Sequence, residues 1–191
     1  MIFGNPSQFA VEWEWSKVYK RRSQRAVGFF VLHIEGNIFG VRSLDATLLA
    51  CSMDAMQRRI IKRGTHCAQY ESNATALEIL NAFRSATYEN ETGGESCFGM
   101  TISAFRDITR GNEIVWIPDG DEAFDDGSHV LQFDQGDKVR IVGFKNLESL
   151  AKTAHTLTEV RMDADDFYGI LGRAEQTFEQ QWQAAVRVAE E

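Results

Sequence analysis

The chain opens on a period of two. Phe9, Val11, Trp13 and Trp15 alternate with Ala10, Glu12 and Glu14, which puts four large apolar side chains on one face of an extended segment. Val27 to Ile34 is a near-continuous apolar run, and after Glu35-Gly36-Asn37 the chain resumes with Ile38-Phe39-Gly40-Val41. Gly and Asn tolerate the positive φ of a tight turn, so a hairpin is expected, with three antiparallel strands opening the fold. At the other end the period is that of a helix. Asp163 suits an N-cap, and Ala164 to Glu190 sets Phe167, Ile170, Leu171, Phe178, Trp182 and Val186 along one side.

Between these ends, Ser43 or Asp45 is expected to cap a helix carrying Leu44, Leu48, Leu49, Met53, Met56 and Ile60. Its last turns hold Arg58, Arg59, Lys62 and Arg63 at the negative end of the helix dipole, before Gly64. A second helix begins near Asn73, with Thr75 and Glu78 at capping-box spacing. Tyr88 to Ser96 is polar and acidic with two glycines, hence a loop. Cys97–Phe105, Glu113–Ile117, His129–Phe133 and Lys138–Phe144 read as strands between turn-forming clusters, followed by a short helix near 146–153 and a last strand at 156–162. The basic stretch Lys17 to Arg25 reads as a solvated connection. Strands grouped by short turns, with helices inserted or appended, predict an α+β fold: a mainly antiparallel sheet with inserted helices and a long C-terminal amphipathic helix. At 191 residues the expectation is a single domain over 1–191.

Charge is divided unevenly. Residues 1–63 hold ten Lys and Arg against five Asp and Glu, while Glu89 to Asp137 holds twelve acids against two bases, Arg106 and Arg110. Like charges crowded this way repel and add nothing to stability. Their use is a negative field that speeds encounter with something positive. A basic partner is expected, not nucleic acid or an anionic membrane. The cluster Lys17, Lys20, Arg21, Arg22 and Arg25 would have to outweigh that field to bind phosphates.

Signatures of catalysis are missing. Gly94-Glu95-Ser96-Cys97-Phe98-Gly99 places its second glycine one residue late for a nucleophile elbow. No phosphate-binding glycine loop occurs, and His33, His66, His129 and His155 form no HxxxH or HExxH pair. His33 is expected as a hydrogen-bonded sheet histidine, and Asp126-Gly127-Ser128-His129 as a turn. Asp119 to Asp126 offers five carboxylates but lacks the register of a calcium loop, since the twelfth position is Val130. Cys51, Cys67 and Cys97 fit no metal or redox spacing and read as buried free thiols in a reducing cytoplasm. No secretory signal and no apolar run of spanning length is present. No catalytic residue, metal ligand or cofactor is therefore expected. The competing expectation is a small-molecule-binding domain or an unrecognised enzyme, with a pocket lined by His33, Trp13 or Trp116.

Met1-Ile2-Phe3-Gly4-Asn5-Pro6-Ser7-Gln8-Phe9-Ala10-Val11-Glu12 resembles the start of the immunity protein 42 family of bacterial polymorphic toxin systems. Gly28 to Asn37 resembles that family's second strand and glycine-containing turn. Asp163 to Trp182, with Asp166-Phe167-Tyr168 opening an aromatic-rich helix, is similar to how such proteins end. The resemblance implies a cytoplasmic, non-enzymatic protein that blocks a cognate toxin domain by stoichiometric binding, and the acidic loops suit a basic toxin such as a nuclease. The surface expected to meet it comprises Glu89, Glu91, Glu95, Asp119, Asp121, Glu122, Asp125 and Asp126, with Phe124 as an apolar anchor among charges. Nothing in the sequence fixes an oligomeric state.

Overall fold

The opening alternation becomes one strand of an antiparallel sheet in a computed structural model that describes residues 1–70, 73–88, 96–116 and 122–188. Strands β1 (Ile2–Asn5), β2 (Phe9–Val18) and β3 (Ala26–Ile34) lie side by side, and β4 (Asn37–Phe39) and β5 (Thr47–Leu48) share the far edge of β3. The hairpin forms as expected. Ile34 faces Asn37 across a two-residue turn in which Glu35 (φ 49°) and Gly36 (φ 80°) are both left-handed, the geometry whose twist matches the strands. Strand β1 was not anticipated. It pairs Ile2 with Glu12 through Asn5 with Phe9, and the Met1 ammonium donates to the Trp13 carbonyl at 2.6 Å.

Two segments of the first half depart from expectation. The solvated connection at Lys17–Arg25 is shorter than predicted, because β2 runs to Val18 and Arg25 is buried, with Asp54 at 2.9 Å and Glu179 at 3.8 Å. The first helix, α1 (Leu49–Ile61), starts late. Ser43 Oγ bonds the Asp45 carboxylate instead of a helix terminus, and Thr47–Leu48 is captured by β3, so α1 begins without a side-chain cap. Helix α2 (Ala76–Tyr88) begins with the predicted capping box: the Thr75 N–H donates to Glu78 Oε2 at 2.7 Å, and the Glu78 N–H donates to Thr75 Oγ1 at 3.2 Å.

The largest correction falls at Cys97–Phe105, which is not one strand. A minimal hairpin, β6 (Ser96–Cys97) and β7 (Met100–Thr101), turns through Phe98 and Gly99 at positive φ, and the chain then enters α3 (Ile102–Gly111). Thr101 Oγ1 accepts the Ala104 N–H at 3.2 Å, and Ile102, Phe105, Ile108 and Thr109 share a helical face. Glu113–Ile117 is no full strand either. Ile114 to Trp116 runs beside the next strand through two backbone bonds and one bridge, Val115 to Leu131, while Ile117 is outside the described residues. Strands β8 (Ser128–Gln135), β9 (Lys138–Lys145) and β10 (Thr158–Asp163), with short α4 (Leu150–His155) between the last two, form a second antiparallel sheet in the order β10-β9-β8.

Strands β8 and β9 of this second sheet are buried on both faces, whereas β10, at the edge, leaves Arg161 exposed. Val130, Val139 and Ile141 join the first sheet, α1 and the final helix α5 (Ala164–Val188) in one core. Leu131, Phe133, Val142 and Phe144 face α2 and α3 in another. Asp163 Oδ1 accepts the Asp165 N–H at 2.9 Å at the start of α5. Phe178 then meets Trp13 edge-on at 5.2 Å. The thiols correct a further expectation: no disulfide joins the three cysteines, but Cys51 and Cys67 are exposed and only Cys97 is buried.

Gly143 on β9 is where the two sheets touch. A Cβ there would lie 2.8 Å from both Ile34 Cδ1 and Phe39 Cζ. Gly143→Ala is therefore expected to lower stability by about 1–3 kcal/mol through overpacking. Urea unfolding would measure this as a lower midpoint with an unchanged slope.

Candidate functional site

The C-terminal turns of α1 and the length of α3 lie either side of Ile114–Trp116, and both carry arginines. Arg58 and Arg59 come from α1, Arg106 and Arg110 from α3, and together they line a groove of about 920 Å³ floored by Trp116 and Phe105. Arg106 and Arg110 are the two bases of the acidic window, and the fold brings both to this one place. The α3 C-terminus makes the approach possible. Glu113 adopts a left-handed φ of 47°, which turns Ile114–Trp116 back along β8.

Arg59 is the buried member, 2 % exposed. Its position at the end of an amphipathic helix suggested solvent, yet it enters the core beneath Trp116, with the guanidinium 4.8 Å from the indole centre. Nη1 donates to Gln132 Oε1 at 3.2 Å and Nη2 to the Val115 carbonyl. Gln132 Nε2 continues to Asp134 Oδ1 at 3.1 Å and to the Tyr168 hydroxyl at 2.8 Å, and that hydroxyl donates to Asp134 at 2.8 Å. Burial pulls the Arg59 pKa down to about 9, against the opposing attraction of Glu113. The guanidinium remains charged at neutral pH. Glu113 itself sits 2.7 Å from Lys62 Nζ, and that hydrogen bond holds its carboxyl below the usual range.

The predicted acidic surface divides on inspection. Glu89, Glu91, Glu95, Asp119 and Asp121 lie outside the described residues. Glu122 opens a single 3-10 turn (Glu122–Phe124) and is exposed, as is Asp125, which lines the groove. Asp126 is engaged within the chain: one oxygen accepts Lys145 Nζ at 2.6 Å, the other the Ser128 N–H at 3.1 Å. Phe124 is half-buried, packs on the core shared by the two sheets and contributes to the groove wall. The turn is pinned to the first sheet, since the Val41 N–H donates to the Ala123 carbonyl and the Gly40 N–H to Ser128 Oγ.

Sequence reasoning missed the groove. The arginines of α1 and α3 are more than forty residues apart, and the only signal was that both bases of an acidic window fall four apart, on one helix face. Of the side chains expected to line a pocket, Trp116 lines this one, and His33 and Trp13 do not. His33 has the predicted structural role, bonded to Glu12 at 2.8 Å. Glu12, expected on the solvated face of β2, is buried between His33 and Arg42 (2.7 Å). Among the described residues no cluster of three or more His, Cys, Asp or Glu is placed to hold a metal ion. No helix there is long and apolar enough to cross a membrane.

Residues 1–177 match the model of the immunity protein 42 family. The chain belongs to that family. No curated protein matches it. Among solved structures, the crystal structure of CdiI from Burkholderia dolosa AUO158 is similar, with a TM-score of 0.58 over 93 % of this chain and 99 % of that one. At 14 % identity the likeness extends to the fold. As an immunity protein, then, the chain carries an arginine-lined groove with the exposed Asp125 at its edge and the exposed Glu122 in the adjoining turn.

The buried Glu12 generates a pH prediction. Burial alone would raise its carboxyl pKa, but the hydrogen bonds from His33 and Arg42 outweigh that and hold it below its ordinary 4.5. A lowered folded value means that the unfolded chain takes up the proton first. The stabilisation is thus complete above the unfolded value and fades as pH falls through the folded one. Glu12→Gln is expected to cost roughly 1–3 kcal/mol near neutrality, with the gap to wild type closing as pH drops below the ordinary value. Urea midpoints along a pH series would read it.

Proposed function

We propose that this immunity protein neutralises a cognate toxin domain in the cytoplasm by binding it one to one, with no chemistry of its own. The observation that carries the reading is the family match across residues 1–177. The finer proposal is that the toxin domain is basic, such as a nuclease, and is drawn in by the acidic loops. Toxins acting on nucleic acid tend to be cationic because the substrate is a polyanion. An acidic inhibitor exploits that charge and occupies the surface that substrate needs. The exposed Glu122 and Asp125 support this, as does the sequence density of acids at 89–95 and 119–121. Asp126 is assigned a holding role through Lys145, and Phe124 an apolar contact at the groove edge.

A second reading, a small-molecule site, is favoured by Trp116 lining a groove of about 920 Å³. Stabilisation by a metabolite in a thermal-shift screen, without protection against the toxin, would support it over the first.

Co-expression with the cognate toxin domain tests the main reading: growth restored by the wild-type chain supports it, and unrelieved killing rejects it. Charge steering has its own signature. Neutralising Asp121, Glu122 and Asp125 together should slow association about tenfold or more at low salt, with the difference shrinking as ionic strength rises. Asp126→Asn should instead leave the association rate near wild type and lower the melting temperature. Stopped-flow mixing and thermal unfolding separate the two outcomes.

A further inference from the structure

The groove has a property that acidic steering does not use. Three of its lining side chains bury a polar atom that has no hydrogen-bond partner: Arg59 Nε, Trp116 Nε1 and Thr109 Oγ1. Two of these are N–H groups that can only donate, and the third is a hydroxyl able to donate. Buried donors in folded proteins almost always find acceptors. Trp13 Nε1, Arg25 Nε and His66 Nε2 are also unmet, each away from the groove, but only here do three such groups lie together, beside arginines, which points to an acceptor supplied from outside.

Charge leads to the same conclusion. No carboxylate lies within ion-pairing distance of Arg58, Arg59 or Arg110 among the described residues, although other arginines of the chain are paired. Glu113, the acid nearest in effect to Arg59, is committed to Lys62. The result is a cationic island on a chain of net charge -8. That net charge disfavours an extended polyanion, which would be repelled over most of its length. A single carboxylate on a protein loop meets only the local field, and the flanking Trp116 and Phe105 offer apolar contact to its neighbour.

We propose that the groove receives an Asp- or Glu-bearing loop of the toxin, its carboxylate held by Arg58 and Arg110 at the mouth and directed toward the Arg59 and Trp116 donors at the floor. The proposal rests on the toxin-binding reading and adds to it a contact of opposite sign. Acids beside the groove draw in a basic surface, and the arginines within it fix the register by taking one of that surface's own acids. Arginine suits this role because its planar fork pairs with both carboxylate oxygens.

The test is calorimetric titration and stopped-flow mixing of the cognate toxin domain with wild type, Arg58→Glu/Arg110→Glu, Arg58→Lys/Arg110→Lys and Glu122→Gln/Asp125→Asn. Arg58 and Arg110 are exposed, so all four proteins should fold, the charge-reversed pair melting slightly lower because two helix C-termini lose their cations. The charge-reversed pair is expected to lose 100-fold or more in affinity, chiefly by faster dissociation. The lysine pair should lose about tenfold, and the acid pair should lose chiefly association rate. Wild-type affinity in the charge-reversed pair, with the wild type itself binding tightly, overturns the groove and leaves the toxin reading standing. No binding by the wild type removes both. Two probes cover other occupants: a fluorescent single-stranded RNA and free citrate. Tight binding of either, abolished by charge reversal while toxin affinity is unchanged, overturns the proposal in favour of that ligand.

Discussion

The chain of buried hydrogen bonds from Arg59 through Gln132 and Asp134 to Tyr168 holds three elements together that have no sequence proximity. Arg59 closes α1, Gln132 and Asp134 stand on one face of β8, and Tyr168 is in the second turn of α5. Asp134 also gathers the segment after α1, accepting the Gly64 N–H at 2.7 Å and the His66 N–H at 3.3 Å. Each group is buried, so each bond matters more than it would in water, and removing one member would strand the next without a partner. Burial and the adjacent Asp134 push the Tyr168 phenol far above its ordinary range, which keeps it a neutral donor wherever the protein is folded. The network also fixes register. A slip of one residue along β8 would send Gln132 and Asp134 to the α2–α3 side, among Phe83, Phe105 and Phe144, and away from Arg59 and Tyr168.

That network explains why the groove has the shape it does. Arg59 is drawn under Trp116 by Gln132 and the Val115 carbonyl, so its Nη atoms face the core and Nε is left with no acceptor. A guanidinium fixed at two nitrogens cannot swing out to find an acid on the surface. Its rigidity is an advantage for recognition, since little rotamer freedom remains to be lost on binding. The interior order of the domain and the unsatisfied floor of the groove are thus two consequences of one arrangement.

Much of the scaffold was legible because it follows from local chemistry. The Glu35-Gly36 turn, the Thr75–Glu78 capping box and the apolar stripe of α5 each require only neighbours within a few residues. The errors arose where tertiary contact overrode local signals. Thr47–Leu48 left a plausible helix start to pair with β3, and Cys97–Phe105 was read as one strand when Thr101 in fact caps a helix. Glu12 was placed opposite the apolar face by the strand's alternation, and Arg25 in a solvated basic connection, although His33 with Arg42, and Asp54, respectively, compensate them inside. The candidate site was the least legible part. Its arginines converge only after α1 and α3 have packed around Ile114–Trp116, and no spacing in the sequence encodes that meeting.

Acids and arginines side by side have a physical logic for an inhibitor that must bind one target tightly and ignore others. A surface of one sign attracts every partner of the opposite sign at similar rates, because long-range fields carry no geometry. Discrimination requires a short-range element that penalises the wrong partner. A groove whose arginines are not paired by the chain's own described acids is such an element: a partner that brings a cation there meets like charge, whereas one that brings a carboxylate supplies the acceptor that the buried Arg59, Trp116 and Thr109 groups already lack in the free protein. On this view the acidic loops set how quickly the immunity protein meets basic surfaces in general, and the groove between α1 and α3 decides which of those encounters persists.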